Sequence, residues 1–285
     1  VYGFPALADS EWARRIELAS EPDPDGSTGP RLWLLLRELG YMIEPARRLY
    51  RSLFKPFRIA KAQTPRMVMV LPGFGTNPIK MRYFARRLED AGHTVKRWGG
   101  GDNWGFSEEL FSQLENRLLD LHQRAGAPVV LVGWSLGGIY ARSLAHRRPE
   151  YVRQVITLGS PVNIPEMRGV SGPVAKLYEM LNPGALSDPM LSWRDEWKRT
   201  PNVPSTAMYS ASDGIVDWQY CVHEQPGPQA ENLRVPASHM GMTHNLAVLY
   251  ALSDRLAQAE GKWQPFSLSG IRQHLYAVSH TLQTA

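Results

Sequence analysis

The spacing of apolar positions changes near residue 66, and the change divides the chain. Upstream, Trp12, Ile16 and Ala19 share one face of a short helix within residues 1–20, and a Pro, Gly and Asp rich linker follows over 21–30. Leu32, Leu35, Leu36, Leu39, Met42, Ile43, Leu49, Leu53 and Phe54 then recur at helical spacing, with Gly40 and Pro45 as breaks. Downstream, short apolar runs alternate with amphipathic stretches. Met67–Leu71, Thr94–Trp98, Pro128–Val132, Val152–Leu158, Ser205–Tyr209 and Leu233–Pro236 read as strands. Residues 78–91, 107–125, Leu136–Ala145 and Asn245–Ala259 read as helices. This alternation predicts an α/β fold, a mostly parallel central sheet flanked by helices on both faces. The expected organisation is an N-terminal helical extension (1–65), an α/β domain (66–260) carrying a lid or cap insertion (161–204), and a C-terminal tail (261–285).

Composition narrows the picture. The chain has 285 residues, 43% of them hydrophobic, enough for one large α/β domain or two small ones with a proper core. A single cysteine, Cys221, rules out an internal disulfide framework, and the expectation is a cytoplasmic chain. The sequence starts at Val1, so a removed leader stays open beside it. The net charge of +5 is uneven: residues 31–66 hold nine bases against Glu38 and Glu44. No nucleic-acid-binding motif accompanies them, and none is expected to bind there. A basic face beside an apolar face over residues 31–61 admits a helix packed on the core or a peripheral membrane contact. The oligomeric state has no signature in the sequence.

The chemistry is concentrated downstream. Gly133, Trp134, Ser135, Leu136 and Gly137 form a Gly-x-Ser-x-Gly pentapeptide. Alone it is weak, expected by chance in about one chain in seven of this composition. Its context gives it weight: Val129–Val132 reads as a buried strand and a helix starts just after Ser135. A tight strand-to-helix turn strains the serine, small neighbours relieve the clash, and the hydroxyl is left exposed above the sheet. A serine hydroxyl needs a base. Asp213, in the loop after the strand Ser205–Tyr209, is the expected orienting acid, with Asp217 as its competitor. His239, after the last strand, is the expected base, with His244 as its competitor. The backbone N–H groups of Phe74, after Gly73, and of Leu136 are the expected oxyanion donors.

Three segments carry a resemblance: Val70-Leu71-Pro72-Gly73-Phe74-Gly75, Val132-Gly133-Trp134-Ser135-Leu136-Gly137-Gly138, and Tyr209–Val216 with the later Ser238-His239-Met240-Gly241. With Leu158-Gly159-Ser160-Pro161, they resemble the α/β-hydrolase superfamily, and within it the bacterial lipases and esterases that include the minimal lipases. The resemblance covers about residues 66–260. It implies an α/β-hydrolase fold, a serine esterase or lipase, the triad Ser135, Asp213 and His239, and the oxyanion amides of Phe74 and Leu136. Family members commonly have His-Gly where this chain has Pro72-Gly73, so another group must support the oxyanion loop. Residues 1–65 and the last 25 have no counterpart in the minimal lipases.

The expected function is hydrolysis of a small-molecule or lipid carboxylic ester through an acyl-enzyme. An amidase, thioesterase or acyltransferase using the same residues is the alternative, and a non-catalytic hydrolase-fold binding protein the more distant one. No metal or organic cofactor is expected, because no His/Cys/carboxylate cluster has ligand spacing. Trp104, Trp134, Trp193 and Trp218 are the expected substrate-binding side chains, with the apolar insertion 161–204 beside them.

Overall fold

The computed structural model describes residues 32–39, 61–163, 170, 172–181, 196–270 and 272–279. The helix expected over residues 1–20, the linker after it and most of the basic stretch 31–61 lie outside these.

Seven strands form one sheet in the order β2-β1-β3-β4-β5-β6-β7. They are β1 (Met67–Leu71), β2 (Thr94–Arg97), β3 (Val129–Trp134), β4 (Val152–Leu158), β5 (Ser205–Tyr209), β6 (Ala230–Arg234) and β7 (Ala277–Ser279). β2 to β6 pair in parallel, and β7 closes the edge antiparallel to β6. The described helices are α1 (Leu32–Leu39), α2 (Arg82–Asp90), α3 (Glu108–Ala125), α4 (Leu136–Arg147), α5 (Gly172–Leu181), α6 (Leu246–Ala257) and α7 (Arg272–Leu275).

β1 and β3 are buried on both faces, which is why they read as continuous apolar runs. Along β1, Val68 and Val70 face the cluster that includes Phe84 and Leu88 of α2 and Val248 and Leu252 of α6. Met69 and Leu71 face the opposite cluster, with Phe111, Leu114 and Leu118 of α3 and Ile139 and Tyr140 of α4. Successive side chains alternate between faces, so each helix layer receives every second residue. The helix ends are legible too. Ser107 caps α3 by accepting from Leu110 N, and left-handed Gly126 closes it at φ 61°. Asn245 caps α6 by accepting from Ala247 N.

Two parts differ from expectation. The strand expected at Leu233–Pro236 runs instead over Ala230–Arg234, because its interior contains two buried polar residues that an apolar pattern passes over. Glu231 accepts from Thr206 Oγ1 (3.0 Å), Arg255 Nη1 (2.7 Å) and Phe266 N (2.7 Å). Asn232 exchanges two hydrogen bonds with the backbone of His223. The stretch read as a C-terminal tail supplies β7, seated by Tyr276, whose hydroxyl donates to Ala247 O at 2.8 Å.

The end of the 161–204 insertion is tied to α4 by a buried cation. Arg142 donates to Trp197 O (2.5 Å), Lys198 O (3.0 Å) and Arg199 O (2.6 Å), and faces His223 Nδ1 at 2.7 Å. Burial brings its pKa down to about 9. Burial, and then the Arg142 charge, push His223 well below its ordinary value, so its imidazole is neutral and can accept.

Candidate functional site

Loops at the carboxyl ends of β1, β3, β5 and β6 gather in one place, where open parallel sheets bind ligands. Strand order reverses between β1 and β3, which opens the crevice there.

Ser135 follows β3 directly and precedes α4. Its backbone sits at φ 53°, ψ −125°, and it is the single non-glycine residue with positive φ among those described. Such a conformation costs about 1–3 kcal/mol and persists only when its surroundings fix it. Ser135 N donates to Leu158 O at 2.9 Å, and Gly138 N donates to Ser135 O at 2.9 Å. Three glycines make the turn possible. A Cβ on Gly133 would collide with the backbone of Gly137 and Gly138, one on Gly137 with Leu71 O, and one on Gly138 with Ser160.

Asp213 and His239 meet across the ends of β5 and β6. His239 Nδ1 lies 2.7 Å from Asp213 Oδ2, and both side chains are buried. The other Asp213 oxygen accepts from Ile215 N (2.9 Å) and Val216 N (2.8 Å), which fixes the carboxylate plane. Burial alone would lower the His239 pKa. The Asp213 charge and hydrogen bond, then the charge of Glu38, outweigh it, and the net shift is upward. Gly159, at φ 54° after β4, passes beneath the pair. A Cβ there would come within 3.0 Å of Asp213 Oδ2 and 3.2 Å of His239 Nδ1.

The competitors are engaged elsewhere. Asp217 accepts from Gln219 N at 3.2 Å and caps a short turn. His244 Nδ1 lies 2.6 Å from Thr243 Oγ1, and its ring stacks on Tyr83.

The β1 loop passes next to the serine. A Cβ on Gly73 would sit 3.0 Å from Ser135 Cβ, so glycine lets this loop approach. The expected donors Phe74 N–H and Leu136 N–H belong to this loop and to the first turn of α4. The support that Pro72 cannot supply comes from Asn103, fully buried in the β2–α3 loop. Asn103 Nδ2 donates to Pro72 O at 2.7 Å, its carbonyl accepts from Gly75 N at 2.8 Å, and its N–H donates to Thr76 O at 2.9 Å. Tyr140 Oη in turn donates to Asn103 Oδ1 at 3.2 Å. Asn103→Ala is expected to lower kcat about 10–100-fold with little change in KM, because the loop would lose its anchor. It should also cost about 2–3 kcal/mol, since Pro72 O and Tyr140 Oη lose their partner in the interior. Steady-state kinetics and thermal unfolding check both.

The expected substrate-binding tryptophans fall in different places. Trp104 is 54% exposed and packs edge-on to Phe74. Tyr178 of α5 reaches Phe74 from the insertion, with ring centroids 4.9 Å apart. Trp134 is buried under His239 and donates from Nε1 to His239 O at 3.1 Å. Trp218 stacks on Tyr209. Trp193 lies outside the described residues.

Sequence reasoning did not single out Glu38. This α1 residue is 5% exposed. Its carboxylate accepts from Gly214 N (3.0 Å), Ser238 Oγ (2.8 Å), His239 N (2.8 Å) and Met240 N (3.0 Å). The signal was a lone acid in the otherwise leucine-rich Leu32–Leu39 stretch.

A family model described as "PGAP1-like alpha/beta domain" matches residues 107–243, from the cap of α3 to just beyond His239. No curated protein sequence matches the chain. Among solved structures, lipase B of Aspergillus fumigatus is similar with a TM-score of 0.50 at 16% identity, over 70% of this chain. The match spans 54% of that lipase's length. Naproxen esterase (carboxylesterase NP) from Bacillus subtilis has a TM-score of 0.44 at 16% identity, over 70% of this chain and 86% of that one. The chain has the α/β-hydrolase fold, as the path of its sheet and its likeness to the Aspergillus lipase show.

Proposed function

We propose that the protein is a serine hydrolase that cleaves carboxylic esters through an acyl-enzyme. The observation that carries this reading is the buried Asp213–His239 pair, 2.7 Å apart, joined through the Trp134 indole, which donates to His239 O, to the turn that holds Ser135 at φ 53°. Ser135 Oγ attacks the ester carbonyl while His239 Nε2 takes its proton. The carbonyl oxygen becomes an oxyanion held by the N–H groups of Phe74 and Leu136. The tetrahedral species collapses, the C–O bond to the alcohol breaks, and His239 returns the proton to the leaving oxygen. Water then attacks the acyl-enzyme by the same steps, releasing the acid and restoring Ser135. Asp213 keeps the Nδ1–H tautomer and stabilises the imidazolium.

An apolar acyl group suits the aromatic side chains of Phe74, Trp104 and Tyr178, which meet next to the oxyanion loop. Small-molecule and lipid esters share this chemistry. From its basic and apolar sequence pattern, the stretch 31–61 is also proposed as a peripheral membrane contact. Their described part, α1, exposes Leu36 while its Glu38 faces the site.

A fluorophosphonate probe is expected to label Ser135, identified by peptide mass spectrometry. p-Nitrophenyl esters of graded chain length should be hydrolysed, with matched amides and thioesters turned over at least about tenfold more slowly. Faster amide or thioester turnover would replace the ester assignment. No labelling and no turnover would leave a binding protein on the same fold.

A further inference from the structure

Glu38 has more contacts than a helix anchor needs. A carboxylate taken out of water is costly unless its lone pairs are filled. Here three N–H groups and one hydroxyl fill them, and they come from two separate loops. Gly214 N–H belongs to the loop of Asp213. Ser238, His239 and Met240 belong to the loop of His239. One side chain therefore bridges the two loops whose own side chains must meet. It does so from a helix 176 positions before Gly214 and 201 before His239.

A second observation shows that the seat is built for this helix. A Cβ on Gly214 would overlap the carbonyl of Leu34, so the α1 backbone rests directly on the acid loop. Leu34 itself is buried. Among the described residues, the titratable groups facing Glu38 are Asp213 and His239, and those facing His239 are Asp213 and Glu38. Burial, then the Asp213 charge, raise the Glu38 pKa, while His239 and the N–H donors of Met240 and Gly214 oppose the rise. Four converging donors call for the ionised form, because a protonated carboxyl offers fewer acceptor sites.

We infer that Glu38 is a positioning residue for His239: its carboxylate holds the acid and histidine loops in register and sets a second negative charge beside the imidazole. The inference rests on the ester-hydrolase reading. It makes the N-terminal helix part of the catalytic apparatus. Asp213 orients the ring from its edge. Glu38 fixes the backbone that carries the ring, and both carboxylates favour the imidazolium that forms as Ser135 attacks.

The base must be neutral to accept a proton, so kcat/KM rises with pH through the His239 pKa. The charge of Glu38 raises that pKa. Glu38→Gln is therefore expected to move the acidic limb of kcat/KM to lower pH by about 0.5 units or more. It should lower kcat about 10–100-fold, with KM changed less than about threefold, since Glu38 touches the catalytic loops and not the acyl side. Glu38→Asp keeps the charge and should return the limb towards its original position while kcat stays reduced. An unmoved limb and unchanged kcat in a Glu38→Gln protein with a lowered Tm would overturn the inference, leaving Glu38 as an anchor for α1 alone. If Glu38→Gln fails to fold, Ser238→Ala and Glu38→Asp carry the test. Each weakens the bridge with the charge retained, and kcat should fall several-fold; full kcat in both would overturn the inference. The two readings separate cleanly. Activity surviving in Ser135→Ala or His239→Ala removes the ester-hydrolase reading. Dead Ser135→Ala and His239→Ala proteins beside a Glu38→Gln enzyme of unaltered kcat and pH profile remove only this one.

Discussion

Replacing Ser135 with alanine is expected to lower ester kcat about 10⁵-fold or more and to abolish fluorophosphonate labelling. The alanine enzyme keeps the backbone donors and the Asp213–His239 pair, so a small residual rate over water should survive. Substrate binding should change little, because the hydroxyl reacts with the ester and does not hold it. The same position offers a stability test. Ser135 stands at φ 53°, a region that glycine enters without steric cost. Ser135→Gly should release about 1–3 kcal/mol of strain, offset by about 0.5–1 kcal/mol of chain entropy. The inactive glycine variant is thus expected to melt about 2–4 °C above the parent. Alanine at this φ keeps the strain, so its Tm should stay near the parent's. A glycine variant less stable than the alanine variant would mean that the turn stores no strain. Retention of esterase activity in either variant would place the nucleophile elsewhere.

The parts of this architecture visible in the sequence are those written locally. Val129–Val132 is buried on both faces, so its apolar run is continuous, and the Gly133–Gly137 turn follows at once. Asp213 and His239 were placed by following strand ends, and the structure brings their side chains to 2.7 Å. Where polar groups satisfy one another across the fold, the pattern fails. Glu231 and Asn232 broke the apolar run of β6, yet each is buried against distant partners. Asn103 falls in the glycine-rich loop before Trp104 with no local partner to mark it, and its bond to Pro72 O joins residues 31 positions apart. The absent histidine before Gly73 did indicate that a substitute was needed, but not where. Glu38 is the extreme case. In a helix of leucines it reads as a solvent-facing charge, and nothing local shows that its four donors lie beyond residue 213.

Asp213→Asn is expected to lower kcat about 10⁴-fold while leaving the fold intact, and the hydrogen bonds around Asp213 say why. Oδ1 accepts from the N–H groups of Ile215 and Val216, so an oxygen must remain there after substitution. The amide nitrogen then takes the place of Oδ2 and points its hydrogens at His239 Nδ1. That nitrogen becomes an acceptor, the ring proton moves to Nε2, and the atom that should accept the serine proton already carries one. The loss belongs to the tautomer more than to the charge, since the Glu38 charge still acts on His239. With the Asp213 charge gone, the His239 pKa falls, and the acidic limb of the residual activity should move to lower pH. Asp217→Asn makes the contrast. Its carboxylate caps a short turn through Gln219 N, a bond that an asparagine oxygen can also accept, so kcat should stay within about threefold of the parent. The reverse ranking, a silent Asp213→Asn beside a crippled Asp217→Asn, would move the orienting acid to Asp217 and break the pairing on which the ester-hydrolase reading stands.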